Sequence, residues 1–429
     1  MRRVRGRWAA AAGVMALIVV AALLVVGRGW RGEAFEGRGP ITYAAGEDLT
    51  GVVRGQLDRW NEERPDERVT FVELSADPDE QRRELVRVAE AGSDEFAVLS
   101  LDVVWTAEFA ANGWIAQLPE KRFPLDAMLP PVVETARYGD ELYAVPMNAD
   151  GGLLYYRTDL LERAGIAQPP MTWAALRDAC AAVLALPEAG EMSCYAGQFE
   201  RYEGLTVNFA EALHSARAEI VDRDGRPRVD TLQARAGLDF LVDAFRDGLV
   251  PEGAIAFTEE EGREAFRDGE LVFMRQWPYA YTSLAADDGS SAVAGDFDVA
   301  LLPGLLGLGS SSLGGHNLAV SSFAEHGATA IDFIRFMTNE ENAHANLAVG
   351  SNAPAYGDLY DDPESVRRYP YLPVLKQSII GALPRPQTVN YSQVSAAVQE
   401  AAQAAMTGEK PSDLALSELQ ETLLGLVGE

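Results

Sequence analysis

The chain has 429 residues, 48% of them apolar and 24% charged, and its 36 Lys and Arg against 65 Asp and Glu give a formal charge of −29. So apolar a composition excludes a disordered chain, two cysteines exclude a disulfide scaffold or a four-thiolate zinc site, and the length suggests roughly two to three domains of about 150 residues. The acidity argues against nucleic acid as a partner, because phosphate-backbone binding needs clustered Lys and Arg.

Residues 1–32 hold six arginines (Arg2, Arg3, Arg5, Arg7, Arg28, Arg31) and no acid, around an apolar run from Ala9 to Val26. A basic segment before such a run reads as an export signal or an uncleaved membrane anchor. Eighteen helical residues span about 27 Å, close to a bilayer core. No cysteine lies near the end of the run, which excludes a lipid-modified N-terminus, and no second apolar stretch of that length occurs downstream. Everything after about residue 32 is expected outside the cytoplasm, at the cell surface or in the periplasm, tethered by this helix or released. Membrane contact is expected through this segment alone.

From Pro40 the chain alternates strand and helix patterns. Ile41–Ala45 reads as a strand, and Asp48 as the cap of a helix with apolar positions Leu49, Val52, Val53, Leu57 and Trp60. Val69–Leu74 is a strand, Asp79–Ala91 a charged helix and Val98–Leu101 an apolar strand ending at Asp102, with helix again between Trp105 and Gly113. Such alternation predicts parallel β-α-β units. The region 158–286 is helix-rich, with Thr172 capping one helix, further helices over Thr231–Phe245 and Thr258–Asp268, and a strand over Leu271–Arg275. Phe297–Leu302 and Asn317–Ser321 read as strands joined by a Gly/Ser-rich connection, and helices close the chain. Two α/β lobes are expected: 40–148 with about 297–348, and 149–296 with about 349–429. Outside the cytoplasm, Cys180 and Cys194 are expected to form a disulfide. The four histidines are scattered without ligand spacing, so no metal is expected.

Several stretches, in order and spacing, resemble extracellular solute-binding proteins of ABC sugar importers: LDVVWTAEFAANGWIAQL (101–118), YAVPMNADGGLLYYRTDLLERAGI (143–166), PPMTWAAL (169–176), RYEGL (201–205), GELVFMRQWPY (269–279), FDVALLPG (297–304), GGHNLAVSS (314–322) and AIDFIRFMTNEENA (330–343). The likeness runs from about Ile41 to the C-terminus, and YEGL, WPY and GG look most like the trehalose/maltose-binding branch. It implies a periplasmic-binding-protein-like fold of two α/β lobes, with hinges near Pro146–Gly152, Asp296–Leu302 and Ala348–Pro354. It also implies reversible capture of a disaccharide, delivery to a membrane permease and no cofactor. A monomer is expected.

A neutral sugar asks for carboxylates, amides and guanidinium for its hydroxyls, and aromatic rings for its C–H faces. Asp102 stands at the carboxyl end of a strand, with Trp105 a turn later; capping and core packing are their plainer roles. Glu47 follows the first strand and is left free if Asp48 caps. Asn148 and Asp150 flank the first hinge, where turn chemistry is the alternative. Tyr155 and Tyr156 alternate, so at most one reaches a cleft. Tyr202 and Glu203 open a helix, where helix-end electrostatics also favours an acid. Trp277 and Tyr279 around Pro278 make a rigid stacking platform. Gly314 and Gly315 allow close backbone approach, and His316 stands where relatives of this type often carry tryptophan. Arg385, between prolines, resembles an arginine that grips sugar hydroxyls. A glycosidase would need two acids about 5–9 Å apart across the bond, and Asp102, Asp150 and Glu203 are the candidates, but no G-x-S-x-G, P-loop or H-E-x-x-H motif occurs. A membrane-tethered carbohydrate sensor is the remaining alternative.

Overall fold

A computed structural model describes residues 35–427 except Leu49 and Arg223. The basic–apolar segment read as a signal or anchor therefore lies outside the described residues. Among those described, no helix is long and apolar enough to cross a membrane.

The strands run β1 (Ile41–Ala45), β2 (Val69–Glu73), β3 (Val98–Asp102), β4 (Arg137–Tyr138), β5 (Glu141–Leu142), β6 (Ala144–Pro146) and β7 (Asp150–Gly151). They continue as β8 (Leu153–Arg157), β9 (Ser193–Ala196), β10 (Leu271–Gln276), β11 (Phe297–Ala300), β12 (Leu313–Gly314) and β13 (His316–Val320). Two main sheets result, ordered β2-β1-β3-β13-β6 and β11-β8-β10-β9, beside the two-stranded pairs β12-β7 and β4-β5. Parallel pairing holds for β1 with β2 and β3, as the β-α-β reading requires, whereas β13 runs antiparallel to both β3 and β6. The second sheet is also mixed: β10 is parallel to β9 and antiparallel to β8.

Each sheet organises its own core. The first gathers Tyr43, Trp60, Leu101 and Phe333, with the Phe333 ring edge-on to both Tyr43 and Trp60 at 5.5 and 5.4 Å between centroids. The second gathers Leu154, Phe209, Phe273 and Val398. Helix starts follow their side-chain caps. Thr172 accepts from Ala175 N at 3.1 Å, and Thr258 with Glu261 forms a capping box. Asp48 works from further upstream than expected. The helix begins only at Val52, and the Asp48 carboxylate accepts from Arg54 N at 2.9 Å.

One strand corrects the sequence reading. Phe297–Ala300 is expected in the first lobe, but β11 pairs antiparallel with β8 in the second sheet. The chain returns later, through β12 and β13, so the second crossover lies near Ser312–Gly315 and not Asp296–Leu302. There β12 pairs antiparallel with β7 of the first crossover, Gly314 opposite Asp150. A third segment joins them, as Ala149 N donates to Ala353 O at 2.9 Å and Asn148 bridges Pro354.

Cys180, on the Trp173–Leu184 helix, is disulfide-bonded to Cys194 at β9, their Cα atoms 5.6 Å apart. Closing a loop of this size restricts the unfolded chain by about 3 kcal/mol. Cys180→Ser with Cys194→Ser should therefore lower the urea midpoint markedly at unchanged secondary structure. An unchanged midpoint would show that the link adds nothing.

Candidate functional site

The carboxyl end of β3 brings Asp102 to the face where the two lobes meet, opposite a buried arginine. Arg385 is 2% exposed and spans the lobes: Nη2 donates to Asp102 Oδ1 at 2.9 Å, and Nη1 pairs with Glu203. Glu203 opens the Glu203–Ser215 helix, whose N-terminus favours an acid, and also accepts from Tyr391 Oη and from Ser395 Oγ at 2.6 Å. Burial pushes the Glu203 carboxyl up to about 7, with Arg385 opposing. Burial alone would depress the Arg385 guanidinium, but Asp102, Tyr391 and Glu203 hold it well above the usual arginine range. Asp102 also accepts from Val104 N at 3.1 Å, so its turn-forming and ion-pairing roles coexist.

His316 lies directly across from Asp102 in the β3–β13 register, and burial lowers its imidazole below the ordinary value. Its backbone N–H donates to Asn148 Oδ1 at 3.0 Å, while Asn148 Nδ2 donates to Asp150 Oδ2 at 3.0 Å. Asp102, Arg385, Glu203, His316, Asn148 and Asp150 thus form one polar constellation across both lobes and the first crossover.

Asp150 makes a pH prediction. Burial, helped by the neighbouring Asp102 charge, raises its carboxyl from 3.8 to about 7. A folded value above the unfolded one means that folding favours the protonated acid, so this contribution is complete below about pH 4 and is lost as pH rises through about 7. Asp150→Asn stays neutral throughout. The variant should gain on the parent between pH 5 and pH 8, by at most about 1.4 kcal/mol per pH unit. Urea midpoints at the two pH values check this, and a gap that does not change with pH refutes it.

The aromatic side is built by the second lobe. Trp277 follows β10 in a turn held by Tyr155, whose hydroxyl donates to Trp277 O at 2.9 Å. One face of the Trp277 ring lies 3.8 Å from the Arg275 guanidinium. A Cβ on Gly314 would come within 3.0 Å of the ring edge, which explains glycine there. Tyr279, half-buried, donates to Glu260 Oε1 at 2.8 Å, and the Tyr202 hydroxyl donates to Glu259.

Some expected residues lie elsewhere. Trp105 is 2% exposed within the first core and presents no face to water. Glu47 is exposed after β1, outside the constellation. Tyr155 points into the second core, and Tyr156 packs on its rim. Gly315 serves the crossover: at φ +117° its Cβ would meet Asn148 O at 2.5 Å. Arg275, Glu211, Tyr391 and Ser395 were missed. Their partners lie 64 to 192 residues away in sequence, so only a rule that a buried arginine needs an acid could have pointed to them. Among the described residues, no group of three or more His, Cys, Asp or Glu is placed to hold a metal ion.

Comparison with known proteins places this geometry in context. The family model "bacterial extracellular solute-binding protein" matches residues 44–344. A probable ABC transporter-binding protein of Deinococcus radiodurans is 30% identical over 79% of this chain and 81% of its own length. A mannitol-binding protein of Pseudomonas aeruginosa is 25% identical over 85% and 87% respectively. The maltose-bound T. maritima MalE3 structure superposes with a TM-score of 0.85 at 32% identity, covering 90% of this chain and 99% of that one. The chain has the two-lobed periplasmic-binding-protein-like fold of that neighbour.

Proposed function

This chain belongs to the bacterial extracellular solute-binding protein family, and from that premise we propose that it is the extracytoplasmic capture component of an ABC sugar importer, taking a neutral glucose-type disaccharide, maltose or trehalose, to a permease. Reversible solute binding, and not catalysis, is what the family does. The observation that carries the sugar reading is the interlobe set of Asp102, Asp150, Glu203 and Arg385, flanked by the Trp277 ring. Carboxylates and a guanidinium match hydroxyls, an aromatic face matches the C–H side of a pyranose, and nothing in this pairing calls for a charged ligand. The 32% identity to a maltose-bound protein supports a disaccharide, and the mannitol-binding relative supports polyols as the second class to try.

Asn148, His316, Tyr279, Tyr202 and Gly314 complete the proposed ligand surface. The protein acts as a monomer, exported and held or released by its N-terminal segment. The first lobe comprises β1 to β6 with β13 and the two helices that follow it. The second comprises β8 to β11 with the C-terminal helices.

A thermal-shift and calorimetry panel of maltose, trehalose, glucose, mannitol and a charged sugar acid tests the reading. Maltose or trehalose should raise the melting temperature in proportion to ln(1 + [L]/Kd), while the sugar acid should not. Silence for every neutral saccharide and polyol would overturn it.

A further inference from the structure

Arg275 occupies a place in β10 where an apolar residue would be expected: it is 1% exposed, inside a strand that is buried throughout. Its charge is fully engaged from one side. Nε and Nη2 fork onto the two Glu211 oxygens at 2.7 and 2.6 Å, and Nη1 donates to Gln198 Oε1 at 3.0 Å. The planar face that this fork leaves free lies against the Trp277 ring at 3.8 Å. A fork held at three hydrogen bonds fixes the plane of the guanidinium, and therefore the plane of whatever stacks on it.

Glu211, the other half of the pair, reaches the crossovers. Its Oε1 accepts from Ser312 N at 3.1 Å and Ser311 Oγ at 3.3 Å, just before β12. The Ser311 hydroxyl lies in turn against the Gly152 N–H of the first crossover. Gly152 has no room for a side chain, because a Cβ there would meet Arg275 Nη2 at 2.7 Å and Glu211 Oε1 at 2.8 Å. Gly314, at the end of the same β12 segment, bears on the edge of Trp277.

We infer that Arg275 is a positioning residue: held by Glu211, it sets the plane of the Trp277 ring and ties that plane to the two paired crossovers. The sugar-stacking consequence rests on the function proposed above, whereas the coupling of guanidinium, ring and crossover stands on contacts in the ligand-free protein. Arg275 touches no ligand in this scheme. It acts through Trp277, by a cation–π contact strengthened by burial.

The test uses the full chain and four variants: Arg275→Lys, Trp277→Leu, their combination, and Glu211→Gln. Lysine keeps the positive charge beside Glu211 but has no planar face to stack. The near-ultraviolet circular dichroism of the parent minus that of Trp277→Leu defines the Trp277 band without any sugar. Arg275→Lys should alter that band. It should also weaken maltose binding about tenfold in the parent, but less than twofold in the Trp277→Leu background. Should Arg275→Lys fail to fold, Glu211→Gln, an isostere that keeps the acceptor oxygen, should alter the same band in the same direction. A Trp277 band unchanged in every folded variant, or an equal loss of affinity with and without Trp277, overturns the inference. If the parent binds no saccharide but the band responds, the proposed function fails while the ring-positioning role stands.

Discussion

Arg385→Ala is expected to lose sugar binding by at least a hundredfold and, at pH 8, to be less stable than the parent by about 3–5 kcal/mol, the usual consequence of removing one partner from a buried ion pair. From sequence alone this side chain reads as a ligand contact whose loss spares the fold. The structure adds a second duty, because Arg385 is the sole guanidinium bonded to both Asp102 and Glu203 among the described residues. Without it, Glu203 keeps only the hydroxyls of Tyr391 and Ser395, which cannot neutralise a buried carboxylate. Such a group takes up a proton instead. Since Glu203 already tends toward about 7 with the arginine present, the variant's deficit should shrink between pH 8 and pH 5.5. Urea melts of parent and variant at both pH values, with calorimetric titration of maltose, measure the two effects separately. A variant that binds sugar normally removes Arg385 from the site, and a deficit independent of pH removes the stranded-carboxylate explanation.

The second large effect is expected at Trp277. Trp277→Ala should weaken saccharide binding by about 2–4 kcal/mol, the range of an aromatic hot spot at the centre of an interface, which is a loss of roughly thirtyfold to a thousandfold. The effect on folding should be much smaller, because the ring is half-buried and its neighbours Arg275 and Tyr155 keep their other partners. Trp277→Phe should recover most of the affinity, since a pyranose face asks for ring area more than for an indole N–H. Unchanged affinity in the alanine variant would place the sugar elsewhere.

Much of this architecture is legible in the residues, for identifiable reasons. Val98–Asp102 is apolar at Val98, Leu99 and Leu101 and ends on an acid, so its strand character and the placement of Asp102 at its carboxyl end follow from pattern alone. Trp277-Pro278-Tyr279 stands out because proline fixes the turn that presents the rings. What pattern cannot show is which sheet a strand joins. Phe297–Ala300 has the same local signature wherever it pairs, and only its register against β8 assigns it to the second lobe. Gly315 shows a similar limit: nearness to a ligand and nearness to Asn148 O both require glycine, and the sequence carries no sign of which applies. Arg275 and Glu211 each resemble ordinary surface charges until folding brings them together. Trp105 shows the same ambiguity, because a tryptophan one turn beyond a site acid serves equally well as core, where this one is buried.

The antiparallel ribbon of β7 and β12 has a mechanical consequence. Sliding one strand past the other would break its backbone hydrogen bonds, whereas flexing across its thin dimension leaves them intact. Its two pairings, Leu313 with Gly151 and Gly314 with Asp150, therefore favour a bend between the lobes over a slide. On the function proposed above, such a restriction would leave less orientational freedom to be lost when a solute is captured.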